Sequence, residues 1–143
     1  MNNNHASYLD AIFKRKAQDK AIRQMKALIK DIEFDGFVVT GVSGITMGSI
    51  MARICKKNLM IIRKEEDNDN HSFYNIENYI PGKRYIFLDD LVASGNTFKR
   101  VKREICNLHK LWKKTGYISD QKKSKIIGRL LYADNATYDK GVN

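Results

Sequence analysis

The chain has 143 residues, 43% of them hydrophobic, and a net charge of +10 from 26 basic and 16 acidic side chains. That length can bury a sizeable core in a single domain, expected to span 1–143, and that apolar fraction excludes wholesale disorder. No apolar run approaches the ~20 residues that span a bilayer, and MNNNHASYLD lacks the basic-then-apolar pattern of a secretion signal, so a cytoplasmic protein with no membrane partner is expected.

In chain order, apolar residues from Leu9 through Ile12, Ala21, Met25 and Ile29 to Ile32 recur at three and four residues and predict one long helix over Ala6 to Ile32. Gly36 to Thr40, GFVVT, is a short β-branched run that reads as a buried strand. Ser43 to Lys56 reads as a loop followed by a helix, and Leu59 to Ile62 as the next strand. The polar stretch Glu65 to Ser72 reads as a loop, and Ser72 to Tyr79 as a short extra strand or irregular segment. Tyr85 to Leu88 is a third buried strand, and Phe98, Val101, Ile105, Leu108 and Trp112 mark a helix with an apolar stripe. Lys125 to Tyr132 is the last strand. Strands alternating with helices predict an α/β fold with a mainly parallel sheet flanked by helices, whose ligands sit at the carboxyl ends of the strands.

Much of the excess positive charge lies in Lys14 to Lys30 and Lys99 to Lys125. Such charge attracts polyanions, but neither stretch carries a nucleic-acid motif or aromatics interleaved for base stacking. Phosphate-rich small molecules explain the charge equally well, and nucleic acid is not the favoured partner. Cys55 and Cys106 have no metal-ligand spacing and read as small buried thiols.

The segment Tyr85 to Thr97, YIFLDDLVASGNT, carries the chemistry. Asp89 and Asp90 stand side by side where a buried strand ends, which is costly unless a cation or hydrogen-bond donors answer them. Ala93, Ser94, Gly95, Asn96 and Thr97 follow, directly before the striped helix. Unpaired amides at a helix start favour an anion, and Gly95 lets the backbone approach it. The acids can accept hydrogen bonds from sugar hydroxyls. A phosphate at one end and a diol at the other describe a ribose 5-phosphate. A strand, capped turn and helix with no ligand would give the same local pattern.

This segment resembles the motif of type I phosphoribosyltransferases that binds 5-phosphoribosyl pyrophosphate (PRPP): apolar residues, two acids, two apolar residues, then small residues around a glycine and a closing threonine. The resemblance implies that Asp89 and Asp90 hold the ribose hydroxyls and that Ala93 to Thr97 hold the 5-phosphate. Thr40-Gly41-Val42-Ser43-Gly44 looks like the family's pyrophosphate loop, with Val42, Ser43 and Gly44 among the PRPP-binding residues. Arg63-Lys64 matches a basic pair that opens a flexible loop in orotate and adenine phosphoribosyltransferases. That loop usually holds a further Lys and a His; here His71 is present, and no second Lys lies between Lys64 and Lys83.

Lys64, His71 and Asp90 are thus the candidate catalytic residues. Mg²⁺ is the implied cofactor, touching Asp89 or Asp90 directly or through water. PRPP and a nitrogenous base are the implied partners, and a homodimer the implied assembly. Ala93 stands where enzymes for 6-oxopurines often carry an acid, which tilts the resemblance toward adenine-like or orotate-like enzymes. The base would lie under a short hood from the termini, built by the N-terminal helix and the tail after Tyr132. The alternative is a regulator of the same fold that senses PRPP or a nucleotide, with RNA as a further partner.

Overall fold

Five consecutive buried residues, Gly36–Thr40, form strand β1 in the middle of the sheet. The computed structural model describes residues 4–64, 75–91 and 95–140, with side chains from residue 9 onward. Strands β2 (Asn58–Ile62), β4 (Arg84–Asp89) and β5 (Lys125–Leu131) join β1 in parallel, and β3 (Ile76–Glu77) and β6 (Thr137–Asp139) close the two edges antiparallel, in the order β3-β2-β1-β4-β5-β6. The expected α/β class and mainly parallel sheet are both present.

The central strands read as unbroken apolar runs because both faces of the sheet are covered. Alternate side chains go to different cores. Phe37, Val39, Ile86 and Leu88 pack against the helical layer that contains Met25, Met47 and Met51. Val38, Tyr85 and Phe87 pack with Phe98, Val101, Ile105 and Leu108 on the other face. The first layer is α1 (Asn4–Phe13), α2 (Arg15–Ile29) and α3 (Gly41–Cys55); the second is α4 (Asn96–Lys114), whose buried stripe matches the predicted spacing.

Two expectations are corrected. The predicted helix over 6–32 is two helices, broken at Lys14, where the backbone is extended (φ −112°, ψ 127°). No glycine or proline marks the break. Lys14 N–H still donates to Asp10 O, and Gln18 N–H to Lys14 O, both at 2.8 Å, so the kink costs little hydrogen bonding. Ala11 and Ile12 join the same core as Ala21, Met25 and Ile29, so the apolar spacing runs through the break unaltered. Second, α3 starts at Gly41, with no loop before it. The segment after Tyr132 makes β6 on the edge of the sheet, where the Gln24 side chain donates to Asn135 Oδ1 (3.1 Å) and accepts from the Ala136 amide (2.9 Å).

Candidate functional site

From β1 the chain crosses to β2 on one side, and β4 lies on the other. Helix α3 leaves the end of β1 on one face of the sheet, and α4 follows β4 on the other. The carboxyl ends of β1 and β4 therefore diverge, the crevice where open α/β sheets bind ligands. A cavity of about 560 Å³ opens there. It is lined by Thr40, Gly41 and Ser43, by Asp89 and Asp90, and by Gly95, Thr97 and Arg100.

The two acids are held by their neighbours. Asp89 Oδ1 accepts from Ser43 Oγ at 3.2 Å and from the Asp90 amide at 2.9 Å. Asp90 Oδ1 accepts from the Leu91 amide at 2.7 Å. Backbone bonds from Tyr132 and Ala133 to the carbonyls of Asp89 and Asp90 fix the strand end beneath them. Burial pushes the Asp89 carboxyl up to about 7; the Asp90 amide opposes that rise and the Asp90 carboxylate adds to it. The bonds among the described residues use Oδ1 of each acid. Two carboxylates as hard oxygen donors suit Mg²⁺, which takes its remaining ligands from water and substrate phosphates. Among the described residues no cluster of three His, Cys, Asp or Glu forms a cage for a metal.

The first turn of α3 lies beside these acids. Gly41 has φ +73°, a conformation that L side chains rarely adopt, and it turns the chain from strand directly into helix. At Gly44 a Cβ would lie 3.2 Å from Leu88 O and 3.7 Å from Asp89 Oδ1, so the absent side chain lets α3 approach the end of β4. Tyr132, whose hydroxyl donates to Ser43 O at 2.8 Å, is 1% exposed; burial raises the pKa of its phenol. It packs beneath the site and is not open to a ligand. Val42, in contrast, is 72% exposed.

The basic pair divides. Lys64 lines the cavity; a Cβ on Gly41 would lie 3.4 Å from its Cε and 3.9 Å from its Nζ. The Arg63 guanidinium instead pairs with Glu77 across the β2–β3 edge. The two side chains leave the end of β2 in different directions. Arg63 therefore stands outside the cavity lining, contrary to its expected place with the PRPP-binding residues.

Arg100 went unnoticed in the sequence because it sits in a basic stretch that reads as a solvated helix face. Its Nη2 donates to Thr40 Oγ1 and its Nη1 to Arg63 O, both at 2.9 Å. Thr40 Oγ1 in turn donates to Ile62 O at 2.6 Å. Arg100 thus ties α4 to the ends of β1 and β2, and it puts a second cation on the cavity wall. A one-turn offset from Asn96 was the available signal: Arg100 is four residues on, on the face carrying Thr97 and Val101.

At the far end Gly95, with φ +81°, precedes α4, and Lys99 N–H donates to Gly95 O at 3.1 Å. Gly95 and Thr97 line the cavity, and Asn96 is exposed beside them. Ala93, Ser94 and His71 lie outside the described residues.

Comparison with solved structures identifies the fold. The chain resembles adenine phosphoribosyltransferase from Thermoanaerobacter pseudethanolicus, with TM-score 0.57 and 16% identity over 81% of this chain and 83% of that one. It resembles orotate phosphoribosyltransferase from Aeropyrum pernix, with TM-score 0.55 and 13% identity over 82% of this chain and 62% of that one. It also matches UMP synthase from Leishmania donovani, with TM-score 0.56 and 16% identity, over 76% of this chain but only 20% of that longer protein. No protein-family model and no curated protein matches the sequence. The fold is that of the type I phosphoribosyltransferases, as the motif resemblance implied.

Proposed function

We propose that this chain is a phosphoribosyltransferase that moves the 5-phosphoribosyl group of PRPP to a nitrogenous base and releases pyrophosphate. One observation carries the reading. A single cavity joins paired carboxylates at the end of β4, the amino-terminal turns of α3 and α4, and the cations Lys64 and Arg100. Each suits one part of PRPP: the acids suit the ribose diol, the helix starts suit phosphates, and the cations suit the pyrophosphate.

In this reading Asp89 and Asp90 accept hydrogen bonds from the 2- and 3-hydroxyls. Ala93 to Thr97 hold the 5-phosphate, and Val42, Ser43 and Gly44 offer amides to the pyrophosphate. A ring nitrogen of the base forms a bond to the anomeric carbon as the carbon–oxygen bond to pyrophosphate breaks. The electron pair leaves on the pyrophosphate oxygen, and the ring proton passes to solvent. Positive charge develops on the ribose beside Asp90, while Lys64 faces the charge growing on the leaving group. Such fixed charges, with the ribose held in place, supply most of the catalysis. When bound, Mg²⁺ would supply charge neutralisation at the phosphates, with Asp89 and Asp90 as its protein-side oxygens. A homodimer and a contribution from His71 belong to the same proposal and rest on the resemblance of the motifs.

The test is a titration of PRPP with Mg²⁺ followed by a screen of bases for pyrophosphate release. Binding and release with the wild type, and loss of binding in an Asp89→Asn, Asp90→Asn double variant that stays folded, are expected. Unchanged binding in that variant would remove the acids from their assigned role. Tight PRPP binding without release from any base would point to a sensor of the same fold.

A further inference from the structure

The two strands that carry the site are not paired with each other at the site. The β1–β4 ladder runs from Gly36–Tyr85 to Val38–Phe87 and stops there. Thr40 still pairs with Ile62 of β2, and Asp89 with Leu131 of β5. The cavity thus opens between two strand pairs, and each pair brings its own part of the ligand site. On the β1–β2 side, Arg100 bonds Thr40 and Lys64 lies against Gly41, where α3 begins. On the β4–β5 side, the amides of Asp90 and Leu91 hold the two carboxylates.

On the α4 face Arg100 spans the gap. On the α3 face, among the described residues, two side-chain hydrogen bonds join the first turn of α3 to the β4–β5 pair. Ser43 Oγ donates to Asp89 Oδ1 at 3.2 Å, and Tyr132 Oη donates to Ser43 O at 2.8 Å. The Tyr132 amide also donates to Asp89 O at 3.2 Å. Tyr132, Ser43 and Asp89 therefore close a ring of three hydrogen bonds that joins β5, α3 and β4. The Ser43 carbonyl lies inside a helix, where it already accepts from the amide four residues on. The phenol is an added constraint on that turn, and not what satisfies its carbonyl. The ring of Tyr132 is 1% exposed and belongs to the core that holds Met47 of α3 and Leu88 of β4, so packing fixes the direction in which its hydroxyl points.

We infer that Tyr132 is a positioning residue: its hydroxyl sets the spacing between the pyrophosphate-binding turn of α3 and the diol-binding acids of β4. It touches no ligand and acts through Ser43. A ligand that spans both parts gains from finding them already at the right separation, whereas a fragment that fills one part does not. This inference rests on the transferase reading and adds to it a residue outside the cavity lining.

Tyr132→Phe removes the hydroxyl and keeps the ring. Calorimetric titration of the full chain with Mg²⁺ and no base compares PRPP with its two fragments, ribose 5-phosphate and pyrophosphate. The variant should bind PRPP roughly tenfold more weakly and each fragment within about twofold of the wild type. Circular dichroism checks that it is folded. A comparable loss for either fragment would show that the hydroxyl shapes one part of the site and not the spacing, and would overturn the inference. Unchanged PRPP affinity, or a variant that does not fold, would make Tyr132 a packing residue only and overturn it as well. Each of those results leaves the transferase reading standing, because the wild type still binds PRPP. Failure of the wild type to bind PRPP or either fragment would overturn that reading, and this inference with it.

Discussion

The Arg100 guanidinium donates to the Thr40 hydroxyl at 2.9 Å, so a helix on one face of the sheet holds the strand end from which the helix on the other face departs. The same guanidinium reaches Arg63 O, and both its acceptors are neutral oxygens. A cation held this way keeps its charge available to an anion in the cavity.

Arg100→Met should therefore weaken binding of pyrophosphate about tenfold, or ~1.4 kcal/mol. It should also lower stability by about 1 kcal/mol through the two lost hydrogen bonds. Arg100→Lys keeps the charge but not the fork and should recover part of the affinity. Calorimetric titration of pyrophosphate with each variant checks the order. A loss of stability with unchanged affinity would make Arg100 a strut only.

The basic pair Arg63-Lys64 should separate by function, since the two side chains go to different places. Lys64→Ala is expected to weaken pyrophosphate binding roughly tenfold. Arg63→Ala, which removes only a half-exposed pair with Glu77, should change affinity by less than about twofold and stability by under ~1 kcal/mol. Equal losses in the two variants would contradict the division seen at the end of β2.

Asp89 should make the ligand-free protein pH-sensitive. Its carboxyl ionises near 3.8 when unfolded and near 7 when folded. Between those values the folded state holds the extra proton, so stability falls as pH rises, and the full penalty is present above about 7. Asp89→Asn removes the charge while keeping an acceptor for Ser43 and the Asp90 amide. Denaturant unfolding should show the variant more stable than the wild type by on the order of 1–3 kcal/mol at pH 8. That gain should vanish by pH 3.5. The same variant should bind PRPP worse, so stability and affinity move in opposite directions.

The packing of α3 on β1 depends on Gly48. A Cβ there would stand 2.5 Å from Val39 Cγ1. Gly48→Ala should cost about 1–3 kcal/mol by overpacking. Combining it with Val39→Ala should cost less than the sum of the two changes, by on the order of 1 kcal/mol, because the second substitution makes room for the first. Thermal unfolding of the four proteins in that cycle measures the coupling.

Much of the site was legible because its parts are adjacent in the chain. Asp89 and Asp90 at the end of an apolar run, and a glycine before an apolar-striped helix, are local patterns whose physical meaning survives without coordinates. The β1 and β4 strands were equally plain, since burial on both faces leaves an uninterrupted apolar run. The break at Lys14 was not legible, because both helices bury the same core and the periodicity continues across it. Nor was the start of α3 at Gly41: a glycine after a strand predicts a turn, and here that turn is the first of a helix, which Gly44 lets approach the end of β4.

The sequence by itself determined the alternation of strands and helices, the paired acids and the anion-favouring helix start, because each depends on neighbours within a few residues. Only the tertiary structure decided what surrounds them. It sent Lys64 into the cavity and Arg63 to Glu77, brought Arg100 from α4 onto Thr40, buried Tyr132 beneath Ser43, and folded α1 over the site so that Phe13 faces it. These relationships join residues tens of positions apart, and their cause is the order of strands in the sheet, which no local pattern encodes.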